Sequence, residues 1–444
     1  MEGFLLMNNI KTVKFGGSSL ADASQILKAA AIVNAQEERR YVVVSAPGKR
    51  FKEDEKITDM LYACYELARA GQDFSGVFDK IVARYNGIIA DLKLRLNLDR
   101  EFAIIKGCIM GNAGRDYAAS RGEYLNACIV AELLGFEMID AAEVIFFGEK
   151  GEFLLDKTIA ALRDRLSRTP KAVIPGFYGM NINGTIKTFS RGGSDVTGSL
   201  VARACSADIY ENWTDVSGFL IADPRIVADA EVIETITYAE LRELSYMGAT
   251  VLHEDAIFPV REAGIPINIR NTNAPEEKGT MIVAENPNPN KYIITGIAGK
   301  KGFSAINIEK DNMNAQVGFV MKILEVLSRN GISFEHFPSG IDTISIIVRS
   351  GLLMEHEAEI TEQLKKAVSP DKLEIEHGLA MLAVVGKGMR STRGTAARAF
   401  AALAHGHINV KMIDQGSSEL NIIVGIDERD FEDATRRIYE CFVN

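Results

Sequence analysis

The residues Lys14-Phe15-Gly16-Gly17-Ser18-Ser19 constrain the fold of this chain more than any other stretch. They follow a short apolar run at residues 10–13 and precede a helical pattern that begins near Asp22. This order predicts a strand, a glycine turn and a helix N-terminus, whose backbone N–H groups and dipole suit phosphate oxygens. Adjacent glycines let the backbone approach a phosphate without a Cβ, and Lys14 adds a cation. A plain tight turn is the alternative, because the Gly-Lys-Ser/Thr of a P-loop is absent.

Composition narrows the class of protein. The 444 residues carry a formal charge of −10, which argues against a general nucleic-acid binder. The five cysteines form no Cys-x-x-C pair and the six histidines no ligand cluster, so we expect a reduced chain without a protein-held metal. No apolar run approaches the roughly 20 residues of a membrane span, and residues 1–10 lack the pattern of a signal peptide. We therefore expect a cytoplasmic protein with two to four domains.

The first part of the chain alternates apolar runs with helical patterns. Strands are predicted at residues 42–44, 172–174 and 267–269, and helices at 58–70 and 121–134. Such alternation indicates an α/β fold with an open, mostly parallel sheet between layers of helices. Ligands of these sheets bind beyond the carboxyl ends of the strands, where Lys14, Ser45 and Gly176 would fall.

A linker and an internal repeat follow. The prolines and asparagines of 286–290 cannot continue a helix or a central strand. Beyond them, an offset of 76 residues relates Gly318 to Gly394, Ile332 to Ile408, Gly340 to Gly416 and 346–348 to 422–424. A gapless register of this length predicts a duplicated α/β module, with the copies side by side in one extended sheet. We assign domains to residues 1–285, 291–372 and 373–444. A duplicated dimerisation module without ligands is the alternative.

A second glycine-rich turn lies at Ser190-Arg191-Gly192-Gly193-Ser194-Asp195. Arg191 can grip a carboxylate bidentately, whereas Asp195 in isolation reads as a helix N-cap. Trp213-Thr214-Asp215 and Asp223-Pro224-Arg225 can hydrogen-bond a nucleotide, or simply form turns.

Two further polar groups are predicted to open helices. In Ser120-Arg121-Gly122-Glu123 the carboxylate is favoured by the helix dipole and can also bind a substrate ammonium. Thr58-Asp59 is either a cap pair or a substrate contact.

In this order, the motifs resemble those of aspartate kinases, in the amino-acid kinase superfamily. The resemblance covers nearly the whole chain. It includes the motif at 14–19, Arg191–Asp195, Thr214-Asp215-Val216-x-Gly218 and Gly248-Ala249-Thr250-Val251-Leu252-His253. The tandem repeat resembles the paired ACT regulatory domains of the family, which are small α+β ferredoxin-like modules.

The resemblance implies ATP-dependent phosphorylation of the L-aspartate β-carboxylate to 4-phospho-L-aspartate, the entry to lysine (through diaminopimelate), threonine and methionine synthesis. It implies ATP as cofactor, with Mg²⁺ carried mainly on the ATP phosphates. It also implies a homodimer or tetramer assembled through the ACT domains, and feedback by lysine, threonine or both.

Residue roles follow from the same resemblance. Lys14 and Asp195 are the implied catalytic pair. The implied ATP-binding residues are Lys14, Gly16, Gly17, Ser18, Thr214, Asp215, Asp223, Arg225, Thr250 and Val251. The implied aspartate-binding residues are Ser45, Thr58, Glu123, Arg191 and Ser194. The implied effector residues are Met313, Gly318, Phe319, Ser333, Glu335, Ser339 and Asp342. Glu335 and Asp342 would take an effector ammonium, or else are solvated surface acids.

Some positions depart from the family pattern. Thr250 stands where a lysine is frequent, Leu220 where an aromatic residue often flanks the nucleotide, and Phe189-Ser190 where Leu-Gly is usual. Two rival functions remain at this point: another amino-acid kinase, such as a glutamate 5-kinase, and a catalytically inactive amino-acid sensor.

Overall fold

The computed structural model describes residues 9–190, 192–249, 252, 254–287 and 291–443. The chain divides into two compact units. The first comprises Met1–Phe219, Glu234–Tyr238 and Thr250–Asn286, and the second Leu220–Ile233, Ala239–Ala249 and Pro287–Asn444. The domain boundaries predicted from the sequence placed residues 220–233 and 239–249 in the first domain. Local sequence patterns do not show against which hydrophobic core a segment packs. Among the described helices, none has the length and apolar content needed to cross a bilayer.

The first unit is an α/β unit. Its strands are β1 (Lys11–Phe15), β2 (Arg39–Val44), β3 (Glu137–Met138), β4 (Phe146–Phe147), β5 (Ala172–Pro175), β6 (Tyr178–Asn181), β7 (Ile186–Thr188), β8 (Ile209–Thr214), β9 (Thr235–Thr237), β10 (Ile267–Asn271) and β11 (Thr280–Val283). Its helices are α1 (Ala23–Asn34), α2 (Ile57–Arg69), α3 (Ser75–Asp91), α4 (Asp99–Met110), α5 (Arg115–Leu134), α6 (Ala141–Val144), α7 (Leu155–Ser167), α8 (Gly193–Ala204) and α10 (Phe258–Ala263). Helix α9 (Tyr238–Tyr246) starts in this unit and continues into the second.

The described strands of the main sheet lie in the order β3-β5-β2-β1-β8-β10-β11-β9. All neighbours run parallel except β10 and β11. The predicted open, mostly parallel sheet is therefore confirmed. Val42, Val43 and Val44 are fully buried, as expected of a strand covered on both faces. Strands β4, β6 and β7 form a separate small sheet.

Helix starts are set by local chemistry. Asp22 caps α1 by accepting the Gln25 N–H at 3.0 Å. Helix α5 begins at Arg115, after Gly114 with φ 103°. The prediction that Ser120 opens this helix is wrong, because five helical residues precede it. Glu123 thus lies inside a helix that is buried over most of its length.

The second unit contains the repeat. Its strands are β12 (Gly296–Glu309), β13 (Phe334–His336), β14 (Thr343–Arg349), β15 (Lys372–Val385), β16 (Val410–Asp414) and β17 (Asn421–Asp427). Its helices are α11 (Phe319–Arg329), α12 (Ser350–Val368), α13 (Thr395–His405) and α14 (Phe431–Val443). The described strands form one antiparallel sheet in the order β13-β14-β12-β15-β17-β16, which confirms the extended sheet expected from the repeat.

The two copies are related by a local two-fold symmetry. Gly318 and Gly394 cap α11 and α13 in the same left-handed conformation, with φ 83° and 84°. In the β12–β15 ladder, Gly296 pairs with Val385 and Glu309 with Lys372, and the 76-residue offset exchanges these two pairs. The leading strands β12 and β15 were not predicted, because their long runs lack a regular apolar alternation.

Candidate active site

Lys14 and Asp195 meet at the carboxyl end of β1. The Lys14 Nζ lies 2.6 Å from Asp195 Oδ1, and Lys14 is only 7% exposed. Asp195 lies in the first turn of α8, which starts after Gly192 in the left-handed region with φ 56°. It therefore binds the lysine rather than capping the helix. Two glycine turns that are distant in sequence converge on a single ion pair.

Asn212 joins this pair and was not identified from the sequence. Its Nδ2 donates to Asp195 Oδ1 at 2.8 Å, and its Oδ1 accepts from Lys14 Nζ at 3.3 Å. Lys14 and Asn212 are direct partners in the β1–β8 ladder. The side chain is 4% exposed. The sequence signal that could have identified Asn212 is its amide side chain within a buried strand, since a buried polar group requires hydrogen-bond partners.

The first glycine turn is shaped by the loop that follows β2. The Gly16 N–H donates to Trp213 O at 3.0 Å, so this donor is already used within the protein. A Cβ on Gly17 would lie 3.0 Å from Ala46 O and 3.3 Å from Gly48. Ser18 begins a three-residue 3₁₀ turn before α1. Gly17 is thus glycine because another backbone passes directly behind it.

Ser45 follows β2, and Ser194, in the first turn of α8, lies against Gly176, which follows the neighbouring strand β5. The Ser45 N–H donates to Phe15 O at 3.2 Å, and the Gly176 N–H donates to Val44 O at 2.9 Å. A Cβ on Gly176 would lie 2.6 Å from Ser194 Oγ, so only glycine allows this approach. Thr58 lies half-buried in the first turn of α2. Ser45 and Ser194 thus lie at the carboxyl edge of the sheet, where a substrate is expected.

Glu123 is a buried carboxyl group in the middle of α5. It is 6% exposed, and burial raises its pKa to about 8, although the Ala46 backbone N–H and the Arg121 charge oppose the shift. Its Oε2 has no hydrogen-bond partner among the described residues. A buried carboxyl oxygen without a partner is costly and suits a cationic ligand.

The predicted nucleotide contacts are only partly brought together. Thr214 ends β8, and its Oγ1 donates to Asp215 Oδ1 at 3.1 Å. Asp223 and Arg225 belong to the second unit and bind each other, with Arg225 Nε 3.0 Å from Asp223 Oδ1. The hydrogen bonds from Arg225 lower the pKa of Asp223. Arg191, Thr250 and Val251 lie outside the described residues.

The predicted effector residues surround the first turn of α11 and the β13–β14 connection. Met313 and Phe319 are buried, and Ser333 and Ser339 are exposed. Asp342 Oδ1 accepts the Asn312 N–H at 2.9 Å.

Glu335 likewise has protein partners. It accepts hydrogen bonds from Arg349 Nε at 2.9 Å and from the Tyr246 hydroxyl. Both carboxylates proposed to take an effector ammonium are therefore engaged by the protein in this structure.

Comparisons with known proteins point in one direction. The model of the Amino acid kinase family matches residues 9–271, and an ACT domain model matches 382–442. The chain is 37% identical to Aspartokinase 3 of Bacillus subtilis, over 98% of each chain. It is similar to the Clostridium acetobutylicum aspartate kinase structure, with TM-score 0.91, 50% identity, and coverage of 98% of this chain and 99% of the other. It is also similar to Escherichia coli aspartokinase III in complex with aspartate and ADP, with TM-score 0.74, 25% identity, and coverage of 98% and 100%.

Proposed function

The chain belongs to the aspartate kinases of the amino acid kinase family, and we propose that it phosphorylates the β-carboxylate of L-aspartate with ATP to give 4-phospho-L-aspartate. One observation carries the catalytic part of this proposal: the 2.6 Å pair of Lys14 and Asp195, where β1 and α8 converge.

The reaction needs little proton chemistry. A carboxylate with an ordinary pKa of about 4 is already ionised at neutral pH, so no general base is required. The obstacle is repulsion between two anions and the charge of the transferring phosphoryl group. Positioning and electrostatic stabilisation therefore supply the catalysis. We propose that Lys14 stabilises the phosphoryl oxygens, with Gly17 and Ser18 beside it, while Asp195 and Asn212 orient the Lys14 ammonium.

Aspartate recognition requires a cation site and an anion site. Glu123 provides a carboxyl group whose Oε2 lacks a partner among the described residues, which supports a role in binding the substrate ammonium. We assign the α-carboxylate to Arg191, whose guanidinium suits bidentate binding. Ser45, Thr58 and Ser194 supply the hydroxyls of the pocket. Thr214, Asp215, Asp223, Arg225, Thr250 and Val251 are retained as proposed nucleotide contacts.

We propose that Mg²⁺ reaches the site on the ATP phosphates. No cluster of three or more His, Cys, Asp or Glu side chains suited to a metal occurs among the described residues. Asp195, the carboxylate that contacts Lys14, is also bound by Asn212. These residues do not fit a dedicated protein cage, and the ion would neutralise charge between phosphate oxygens.

The repeats support regulation by an amino acid, and a structure of Escherichia coli aspartokinase III contains lysine and aspartate. We propose lysine, threonine or both as effector, bound near Gly318, Phe319 and Ser339. We also propose that the protein is cytoplasmic.

A homodimer or tetramer is proposed through the first repeat. Val317, Met321, Phe334 and Ile341 are exposed there. The second repeat has Arg393, Ala397, Val410 and Ser417 at the equivalent positions. The first copy therefore exposes large apolar side chains at all four positions, whereas the second has one, the half-buried Val410. An exposed apolar group of this kind favours a protein contact.

Trapping of the acyl phosphate with hydroxylamine tests the function. Wild-type protein with MgATP should form hydroxamate with L-aspartate and not with L-glutamate or L-asparagine. Preference for glutamate would favour a different amino-acid kinase. Absence of product with every substrate, together with tight lysine or threonine binding, would favour an inactive sensor.

A further inference from the structure

Arg84 ties together two backbone segments at the candidate phosphate site. This arginine lies on α3, is 8% exposed, and has no role in the chemistry described above. Its Nη2 donates to Ala21 O at 2.7 Å and to Gly48 O at 2.8 Å. Ala21 ends the first glycine turn, and Gly48 belongs to the loop after β2. One guanidinium therefore fixes the distance between the turn and the loop behind it.

The loop and the turn are in direct backbone contact. The Gly48 N–H donates to Gly17 O at 2.8 Å. A Cβ on Gly48 would lie 2.6 Å from Gly17 C and 2.8 Å from Ser18 N. A shift of Gly48 by a few tenths of an ångström is therefore transmitted to Gly17 and Ser18, since packed backbones do not compress.

Asp54 holds Arg84 in place. Arg84 Nη1 lies 2.8 Å from Asp54 Oδ2, and both side chains are more than nine-tenths buried. Arg50 binds the same carboxylate from the solvent side, with Nη2 2.8 Å from Oδ1. The hydrogen bonds from Arg50, together with Arg84, hold the pKa of Asp54 well below its usual range. An Asp carboxyl group is ionised at neutral pH even at its ordinary pKa of about 4, so Asp54 still pairs with Arg84 when Arg50 is removed.

We propose that Arg84 is a positioning residue for the nucleotide phosphates, acting through Ala21 and Gly48 on the backbone of Gly17 and Ser18, with Asp54 as its anchor. The inference rests on the proposed function, because it assigns the phosphate site to the first glycine turn. Its planar fork of donors serves a carboxylate and two carbonyls at once, which a lysine ammonium does not match.

Arg84→Lys tests the proposal, and Arg50→Met is its matched control. Both substitutions remove one arginine from Asp54, but Arg50 touches neither Ala21 O nor Gly48 O. We expect kcat/KM for ATP to fall about tenfold or more in Arg84→Lys and to change less than about twofold in Arg50→Met. Titration with MgADP should show the same difference. A purely structural arginine would lower the melting temperature and leave the KM for ATP unchanged, which would overturn the proposal.

Gly48→Ala gives an independent test if Arg84→Lys fails to fold. The added methyl group meets the Gly17 backbone, whereas in the control Gly87→Ala nothing lies within 4 Å of the new Cβ. A raised KM for ATP in Gly48→Ala alone supports the proposal, and equal constants in both variants contradict it. Wild-type hydroxamate formation is measured first. Its absence would refute the proposed function, while unchanged variants of an active enzyme would refute only this inference.

Discussion

The two units of the chain place their charges differently. Among the described residues, the first unit buries Lys14, Arg39, Asp54, Arg84, Arg121, Glu123 and Glu211, each less than 9% exposed. In the second unit, Glu240 is the only Asp, Glu, Lys or Arg buried to that degree among the described residues. Burying a charge is expensive, so a unit that does so repeatedly gains something besides stability. In the first unit, Lys14 and Glu123 belong to the candidate active site, where fixed charges can act on an anionic reaction.

The first repeat of the second unit exposes a group of large apolar side chains. Val317 is fully exposed, Ile341 is 69% exposed and Met321 66%. All three belong to the first repeat, and the second repeat replaces them with Arg393, Ser417 and Ala397. The comparison predicts that polar substitutions disturb catalysis in the first unit and association in the second.

The largest expected effect comes from removing the Lys14 ammonium. Lys14→Met should lower kcat for hydroxamate formation by about a thousandfold, because one stabilising cation at a transferring phosphoryl group has an effect of this order. Circular dichroism and thermal melting serve as controls for folding. Activity within about tenfold of wild type would remove Lys14 from the catalytic role.

Matched ion pairs, one in each unit, sharpen the contrast in stability. Arg39 and Glu211 are 3% and 2% exposed, and Arg39 Nε lies 2.8 Å from Glu211 Oε2. Glu211→Gln leaves the arginine charge buried and should lower the free energy of unfolding by about 3 kcal/mol or more. Glu325→Gln breaks the exposed pair with Arg329 and should change it by less than about 0.5 kcal/mol. Equal losses by urea denaturation would contradict the comparison.

Glu123 should make aspartate binding depend on pH. Its pKa is raised to about 8, so the carboxyl group of the free enzyme is mostly protonated at neutral pH. An ammonium ligand requires the ionised form. The KM for aspartate should therefore rise about twentyfold between about pH 8.5 and about pH 6.5, while the KM for ATP changes little. Glu123→Gln should bind aspartate weakly at every pH. Persistence of the full pH dependence in this variant would show that another group titrates.

The smallest effect on activity is expected at the apolar surface of the first repeat. Met321→Ser and Phe334→Ser should shift light-scattering mass toward a smaller species at micromolar concentration, with basal kcat changed less than about twofold. Ala397→Ser at the equivalent position of the second repeat is the matched control. An unchanged mass in both first-repeat variants would exclude this surface from assembly.

Local patterns predicted the elements that depend on local chemistry. The apolar run at 42–44 and the helical pattern that begins near Asp22 depend on neighbouring residues, and the structure has β2 and α1 at these places. The shared offset of Gly318 and Gly394 predicted a duplicated module, and the structure gives both glycines the same left-handed conformation, because a duplicated backbone repeats its special dihedral angles.

Contacts between residues far apart in the sequence were harder to predict. Asn212 and Arg84 owe their positions to partners tens to hundreds of residues away. A polar residue within a strand or helix does not reveal from the sequence which atom will be its hydrogen-bond partner. The start of α5 was misplaced for a related reason: a carboxylate such as Glu123 reads as a first-turn residue unless its burial is known.

A double-mutant cycle on Lys14 and Asp195 tests the central claim most directly. The quantity to measure is kcat for hydroxamate formation in Lys14→Met, Asp195→Asn and the double variant. Groups that act as one unit give strongly non-additive losses, so the double variant should be no more than about tenfold slower than Lys14→Met alone. Losses that multiply in full would show that the 2.6 Å pair does not work as a single catalytic unit.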